Sequence, residues 1–239
     1  MENQKRSILS GLSIFYNREA LFNEIMNSPN VWKMAGQFTL LLFVMTFAYG
    51  FVMGLYHSLL QAVVTGFKVP LLFLGTILIC FPSFFIIQLI IGSKLRLGQM
   101  LAIILTGFLL MSVIMASFAP IILFFFLTGS DYNFLQLLHV GVVIFGGIFG
   151  MILILNALKY SCDEKGVYPK TGVTVFQIWV LILAFVGMQL TWNLRPFLGD
   201  SGQPFKLFRH YPGNFYTVII DSARHLVKKS IDPNYEIGF

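Results

Sequence analysis

The chain has 239 residues, of which 57% are apolar and only 11% are charged, and its mean hydropathy is +0.80. Soluble domains carry roughly 25% charged residues, so this chain lacks the polar surface that a fold needs when it faces water on all sides. The composition therefore predicts an integral membrane protein. It excludes a disordered chain, a disulfide-rich secreted scaffold and a soluble nucleic-acid binder, although the formal net charge is +6.

The first predicted element is a short amphipathic helix over residues 18–27. Asn17 is a suitable N-cap, and Pro29 ends the helix. One helix face is formed by four apolar residues at the appropriate spacing: Leu21, Phe22, Ile25 and Met26. We expect this face to lie in the cytoplasmic membrane interface. The alternative is a helix that binds a groove of a partner protein.

Five windows without Asp, Glu, Lys or Arg are each long enough for one membrane-spanning helix of about 20 residues. They predict helices near 36–58, 69–92, 98–128, 134–158 and 173–194. The apolar runs lack the alternation of barrel strands, so the predicted fold class is all-α: a polytopic integral membrane protein with five transmembrane helices and an interfacial amphipathic helix at each end. Because charges bound the windows, no ionisable group is expected inside a span, and Lys68 is assigned to the loop after the first span.

Two prolines are predicted to kink helices, Pro82 in the second span and Pro120 in the third. If the third helix kinks, Ser117 and neighbouring helices are expected to bond the carbonyl that Pro120 leaves free; otherwise its outer end is expected to continue past the bilayer. The third helix is also long, since its 31 residues would cover about 46 Å and the hydrocarbon core is about 30 Å thick. The alternative interpretation is that the two prolines mark a gate or a cavity.

Small-residue motifs occur in the first and fourth spans. Gly50 and Gly54 are four residues apart, as are Gly146 and Gly150, and such pairs let a neighbouring backbone approach closely. The neighbouring helix can belong to the same chain or to another copy, so these glycines predict either intramolecular packing or an oligomer interface.

Two glutamines are predicted to lie deepest among the polar residues of the spans, Gln88 and Gln189. Side-chain amides hydrogen-bond across helices in lipid, which is the first interpretation of both residues. A polar pathway for a solute is the alternative.

The chain after the last span forms a separate predicted region. Residues 195–205 are dense in proline and glycine and predict an ordered loop over the helix ends, with Arg195, Pro196 and Phe197 as contact residues. Asn214 can cap a second interfacial helix. The predicted regions are an N-terminal cytoplasmic interfacial segment over 1–33, a five-helix transmembrane domain over 34–194, and the C-terminal loop and amphipathic helix over 195–239.

Lysines and arginines near the spans predict the orientation. With a cytoplasmic N-terminus, the inner segments carry nine basic residues and the two short outer loops carry only Lys68. We therefore expect a multi-pass protein of the cell (inner) membrane whose C-terminal tail is outside. That tail is itself basic, which the same rule disfavours on the outer side.

No catalytic, metal-binding or cofactor motif stands out in the sequence. Gly-Asp-Ser-Gly at 199–202 is similar to the nucleophile segment of chymotrypsin-like proteases, but no β-barrel supplies the base and orienting carboxylate. The histidines lack metal-ligand spacing and are interpreted as interfacial or loop residues: His57, His139, His210 and His225. We expect no catalytic residue, no metal site, no cofactor and no enzymatic activity.

Six short segments together resemble a family of small bacterial polytopic proteins of uncharacterised function. These segments are residues 69–74, 79–83, 92–99, 116–120, 193–197 and 213–216. The region from the second to the third span is also loosely similar to Yip1-type membrane proteins, although their acidic cytoplasmic motifs are not recognisable here. The resemblance implies five spans and a cytoplasmic N-terminus. Neither family offers catalytic residues that can be transferred to this chain.

These patterns favour a non-enzymatic subunit or scaffold of a membrane protein assembly. The expected partners are the lipid bilayer and other membrane proteins in a homo- or hetero-oligomer, and no nucleic acid. The alternative is a homo-oligomeric channel or small-solute transporter, with the two glutamines and the two helix prolines near its pathway.

Overall fold

The computed structural model describes residues 17–129, 131–163 and 166–198, together with six later residues: Leu207, Ile219, Ile220, Arg224, Val227 and Lys228. The three continuous ranges contain six helices and no strand. These are α1 (Arg18–Asn27), α2 (Val31–Gly54), α3 (Leu59–Ile90), α4 (Leu97–Leu127), α5 (Tyr132–Asp163) and α6 (Lys170–Asn193). Helices α2 to α6 are each long and apolar enough to cross a membrane, which confirms the all-α fold with five spans.

Helix α1 has the predicted bounds and the predicted cap, since the Asn17 side chain accepts a hydrogen bond from the Ala20 amide at 3.1 Å. Its apolar face lies elsewhere than predicted. Leu21, Phe22 and Ile25 are buried on α4 and α5 of the same chain and are therefore covered by protein, so they face neither the membrane interface nor a partner's groove. An amphipathic pattern requires an apolar surface but does not specify which one.

The second predicted amphipathic helix lies almost entirely outside the described residues. It was expected to begin after its cap, Asn214, which is itself outside the described residues. Of the residues after Asn214, five are described, and among them Ile219 is half-buried while the others are exposed.

Helix α3 begins ten residues earlier than the predicted start near 69, and this corrects the placement of Lys68 in a loop. The helix begins at Leu59 because Ser58 caps it, with its hydroxyl accepting a hydrogen bond from the Gln61 amide at 3.2 Å. The turn between α2 and α3 therefore covers only residues 55–58. Lys68 lies inside a membrane-spanning helix.

Helix α4 lies at the centre of the bundle. Helix α2 packs on α3 and α4, α5 packs on α4, and α6 bridges α5 and α3. Residues 102–109 of α4 are all buried, so neighbours surround that stretch on every side. Phe108 of α4 meets Phe73 of α3 edge to face, with ring centroids 6.0 Å apart. The middle of the bundle is thus filled with side chains at this level.

The four motif glycines lie where two helices of the same chain approach closely. A Cβ atom at Gly50 would lie 2.7 Å from the Thr65 carbonyl oxygen, and one at Gly54 would lie 2.6 Å from the Ala62 Cα. On the other side of the bundle, a Cβ at Gly150 would lie 2.5 Å from the carbonyl oxygen of Gly107, and one at Gly146 would be 3.2 Å from that of Met111. Their close contacts are therefore intramolecular, α2 on α3 and α5 on α4.

The prolines lie within continuous helices, Pro82 in α3 together with Pro70, and Pro120 in α4. Pro120 leaves the Ala116 carbonyl without its usual amide donor. Ser117 does not supply the missing hydrogen bond, because its hydroxyl donates to the Val113 carbonyl at 2.9 Å. This corrects the expected role of Ser117, whose short side chain reaches the carbonyl one turn before it.

The close α4–α5 contact predicts opposite effects of two matched substitutions. Gly150→Ala would place a methyl group against the Gly107 backbone and should lower the free energy of unfolding by about 1–3 kcal/mol, a typical cost of overpacking. Gly36→Ala, in a helix position with nothing within 4 Å of its Cβ, should leave stability equal or raise it by up to about 1 kcal/mol. Thermal unfolding in one detergent compares the two, and equal effects would contradict the packing described here.

Candidate functional site at the buried lysine

A lysine lies inside one of the membrane-spanning helices. Lys68 is nine residues from the start of α3, which places it about 14 Å along the helix axis. Its side chain is buried, with 5% of its surface exposed. The expectation that every span excludes ionisable groups is therefore wrong, because a census of charge-free windows makes any lysine a boundary by definition.

The ammonium group of Lys68 binds backbone carbonyl groups that follow the last span. Its Nζ atom donates to the Pro196 carbonyl at 3.2 Å and to the Leu207 carbonyl. Carbonyl oxygens carry partial negative charge, so they can replace the water that a buried ammonium loses. The lysine thus fastens two points of the C-terminal segment to α3.

Two neutral polar residues on the same face of α3 extend this attachment. Gln61, Thr65 and Lys68 follow the i, i+4, i+7 spacing of one helix face. The side-chain amide of Gln61 donates to the Pro196 carbonyl at 3.1 Å and to the Thr65 hydroxyl at 3.1 Å. The Thr65 hydroxyl donates to the Phe197 carbonyl at 2.7 Å. We call these three α3 residues the lysine clasp.

The described part of the loop, residues 195–198, packs into the bundle. Phe197 and Leu198 are buried, and the carbonyls of Pro196 and Phe197 face the lysine clasp. Arg195 has a different contact, because its guanidinium group lies over the Trp192 ring and donates to the Trp192 carbonyl at 3.1 Å. Residues 199–206 lie outside the described part of the chain.

The clasp was missed because its evidence joins distant parts of the sequence. The pattern Gln61-x-x-x-Thr65-x-x-Lys68 is visible in the sequence as a polar stripe at helical spacing. It could have been found by testing whether Lys68 continues the face of the two residues before it. Its partners could not, because they lie 128 and 139 residues away.

The two glutamines predicted as interhelical contacts or a polar pathway occupy different environments. Gln88 is fully buried near the end of α3 and donates to the Gly172 carbonyl of α6 at 3.2 Å, as expected of an amide that joins helices. Gln189 is exposed on α6. Gly172 and Gln189 are about 25 Å apart along α6, so the structure does not bring the two glutamines together.

Tyr168 is buried beside Gln88 in the loop between α5 and α6. A Cβ atom at Gly172 would lie within 2.6 Å of the Gln88 side-chain oxygen and 2.9 Å of the Tyr168 ring, so only glycine fits between them. Burial raises the pKa of the Tyr168 hydroxyl, with a further increase from Cys162. The same loop is fixed by the Lys94 amide, which donates to the Val167 carbonyl at 2.9 Å.

The two described histidines lie on α5 and in the turn before α3. His139 is on α5, where its ring stacks on Tyr49 of α2 and its Nδ1 lies 2.8 Å from the Tyr49 hydroxyl. This interhelical contact was not predicted. His57 lies in the turn between α2 and α3, as expected, 3.0 Å from the Ser58 hydroxyl. His210 and His225 lie outside the described residues.

Within the described ranges, no group of three or more His, Cys, Asp or Glu side chains is arranged to hold a metal ion. Cys80 and Cys162 are free thiols. What the described chain does offer is hydrogen bonding between side chains and backbone carbonyls, a chemistry that positions segments.

Five apolar helices around a filled centre define a multi-pass α-helical integral membrane protein in contact with the lipid bilayer. Comparisons with models of protein families, with curated proteins and with solved structures find no match. The resemblance to small bacterial polytopic proteins therefore stays a prediction, and function has to be argued from the site itself.

Removal of the clasp ammonium should release the segment after the last span. In Lys68→Met the Leu207 carbonyl loses the ammonium as its donor, whereas the Pro196 carbonyl keeps the Gln61 side-chain amide, and an unmet buried polar group costs about 1–3 kcal/mol. Hydrogen exchange of peptides covering residues 195–207 should accelerate by about tenfold or more, since 1.4 kcal/mol is a factor of ten. Global stability is not the readout, because an apolar replacement of a buried charge can itself stabilise a fold.

The matched control for this variant is Lys94→Met. Lys94 is exposed in the loop between α3 and α4, at the opposite end of α3, so its loss should not change exchange in residues 195–207. Unchanged exchange in Lys68→Met would contradict the positioning role of the clasp.

The raised pKa of Tyr168 predicts a loss of stability at high pH. The ordinary pKa is 10.0 and the folded value is higher, so above pH 10 the unfolded chain releases a proton that the folded chain retains. Stability is therefore unaffected by this group below pH 10 and falls as pH rises beyond it. Melting temperatures measured between pH 9 and 11 should fall less steeply in Tyr168→Phe than in the wild type, and parallel curves would contradict the burial of this hydroxyl.

Proposed function

We propose that the protein is a non-enzymatic scaffold or subunit of a membrane protein assembly, and that its C-terminal segment, residues 195–239, is the part that contacts the partner. The observation that carries this proposal is the lysine clasp. In it, a buried ammonium and two further polar side chains donate hydrogen bonds to the start of that segment. A segment held at fixed points is a surface that a partner can recognise.

The energetic balance of the clasp supports a positioning role. A lysine at the centre of a membrane helix costs about 2.5–3.5 kcal/mol on insertion scales, which is an upper bound for Lys68 because it lies in the first third of α3. Buried ionic groups are often replaceable by apolar residues without loss of stability. Stability alone is therefore a weak reason for Lys68 to be where it is. A requirement for one fixed loop geometry is a better reason, because the ammonium donates to two backbone carbonyls of the C-terminal segment, those of residues 196 and 207.

The arrangement of the helices supports a scaffold over a pathway within one copy. The centre of the bundle is filled by residues 102–109 of α4. The two glutamines proposed to line a pathway are separated, with Gln88 buried against α6 and Gln189 exposed. No described observation favours the channel or transporter alternative.

The charge of the C-terminal segment suggests the chemistry of the partner. Residues 195–239 contain six basic residues, Arg195, Lys206, Arg209, Arg224, Lys228 and Lys229, against four acidic ones, Asp200, Asp221, Asp232 and Glu236. A basic segment that follows a membrane span complements an acidic surface of a neighbouring membrane protein.

For the orientation, we infer a cytoplasmic N-terminus in the inner membrane and a C-terminal segment on the outer side. With Lys68 inside α3, the turn at 55–58 and residues 128–131 contain no lysine or arginine. The loops at the other end of the bundle contain Lys94, Arg96 and Lys165. This asymmetry supports the assignment by the positive-inside rule.

Mild detergent extraction of native membranes tests the proposed function. The wild-type chain should co-purify with one or more membrane proteins at a fixed stoichiometry, Lys94→Met should retain them, and Lys68→Met should lose them by about tenfold, in line with the freed segment. A wild type that is monomeric, or that forms a symmetric homo-oligomer with solute flux in liposomes, would overturn the scaffold proposal.

A further inference from the structure

An apolar groove lies on the lipid-facing side of the bundle, between the end of α4 and the beginning of α5. One wall is Phe118 of α4, and the other is α5, which contributes Phe134, Leu137, Leu138, Gly141, Val142 and Phe145. No lining residue is charged, and none carries a side-chain hydrogen-bonding group. The groove thus offers contact area and no hydrogen bonds from side chains.

An aromatic pair lies at each end of the groove, and a glycine lies between the two pairs. At one end the rings of Phe125 and Phe134 are 4.9 Å apart, and at the other those of Phe118 and Phe145 are 6.1 Å apart, both pairs edge to face. Between them, a Cβ atom at Gly141 would have nothing within 4 Å. The space over Gly141 is therefore available to a ligand.

The length of the groove matches one membrane leaflet. From Phe134 to Phe145 the α5 axis rises by about 17 Å, and half of the hydrocarbon core is about 15 Å thick. The groove begins within the first turn of α5, at the end of the bundle where α4 and α5 meet. It thus runs along the α5 axis, the direction of an acyl chain beside a membrane-spanning helix.

The groove is continuous with the surface that contacts the bilayer. Exposed apolar side chains flank it on both helices, Ile121 and Phe124 on α4 and Ile144 and Ile148 on α5. Lipid chains are therefore the molecules that reach it in the membrane. A helix of a second copy is the competing occupant, but it would extend beyond a groove that ends at the Phe118–Phe145 pair.

From these observations we propose that the groove is a binding site for one acyl chain of a membrane lipid, lying over Gly141. The site is separate from the lysine clasp, which lies on α3. It is a site for the chain of the lipid, with no requirement on its headgroup.

Photo-crosslinking in nanodiscs tests this proposal. The full-length protein is reconstituted in phosphatidylcholine containing a phospholipid with a diazirine in the middle of one acyl chain, irradiated, digested and mapped by mass spectrometry. Adducts should concentrate in residues 134–145. They should exceed those on the exposed face of α6, formed by Leu181, Ile182 and Phe185, by about fivefold, since extra apolar contact improves binding several-fold per group.

Filling the groove gives the matched comparison. Gly141→Leu should reduce the adducts in residues 134–145 by about fivefold, because the new side chain occupies the open space. Gly36→Leu, which adds the same side chain at an exposed helix position with nothing within 4 Å, should leave them unchanged. Melting temperatures show that both variants are folded, and Gly141→Ala provides a smaller substitution with an intermediate reduction.

Three results would overturn the acyl-chain site. The first is equal labelling of the groove and of the α6 face. The second is labelling of the groove that Gly141→Leu does not change in the folded protein. The third is efficient disulfide formation between two copies of Gly141→Cys, which would assign the groove to a second copy of the chain.

Discussion

A polar group inside a bilayer has no water to bind, so the protein itself must supply every hydrogen bond it makes. Lys68 is the extreme case in this chain, because its charge makes the requirement strongest. The Pro196 and Leu207 carbonyls accept hydrogen bonds from its ammonium group. Gln61 and Thr65 bind the same loop segment. The course of the chain after α6 follows from that requirement, and so does the proposal that this segment is presented to a partner.

The glycine contacts make this arrangement geometrically possible. Gly50 and Gly54 bring α2 against the first turns of α3, where the clasp begins, so this side of α3 needs no large side chains for packing. Gly107 and Gly150 do the same for α4 and α5, and the closely packed α4 then fills the centre. Close backbone contacts on two sides leave the polar face of α3 free for the loop and the outer surface free for lipid.

The sequence predicts those features that depend on local patterns. The bounds and cap of α1 match, and α4 at Leu97–Leu127 differs by one residue at each end from the predicted 98–128. The predicted start of α3 was wrong because a lysine was assumed to end a span. The Lys68 ammonium is instead hydrogen-bonded to carbonyl groups more than 120 residues away. The predicted environment of α1 was also wrong, because an apolar face such as that of Leu21 and Ile25 can pack equally well on lipid or on protein. Local patterns identify helices, but they do not identify partners distant in sequence.

The long sequence separation within the clasp has a consequence for biosynthesis. Spans enter the membrane in order, so α3 is inserted while the residues that bind its ammonium are still unsynthesised; these residues follow α6, the last of the five spans. Until then, Lys68 has to remain hydrated, or α3 has to remain near an aqueous part of the insertion machinery. The segment after α6 therefore completes the burial of a charge that entered the membrane three spans earlier. A chain interrupted before residue 196 carries an intramembrane lysine without those carbonyl partners.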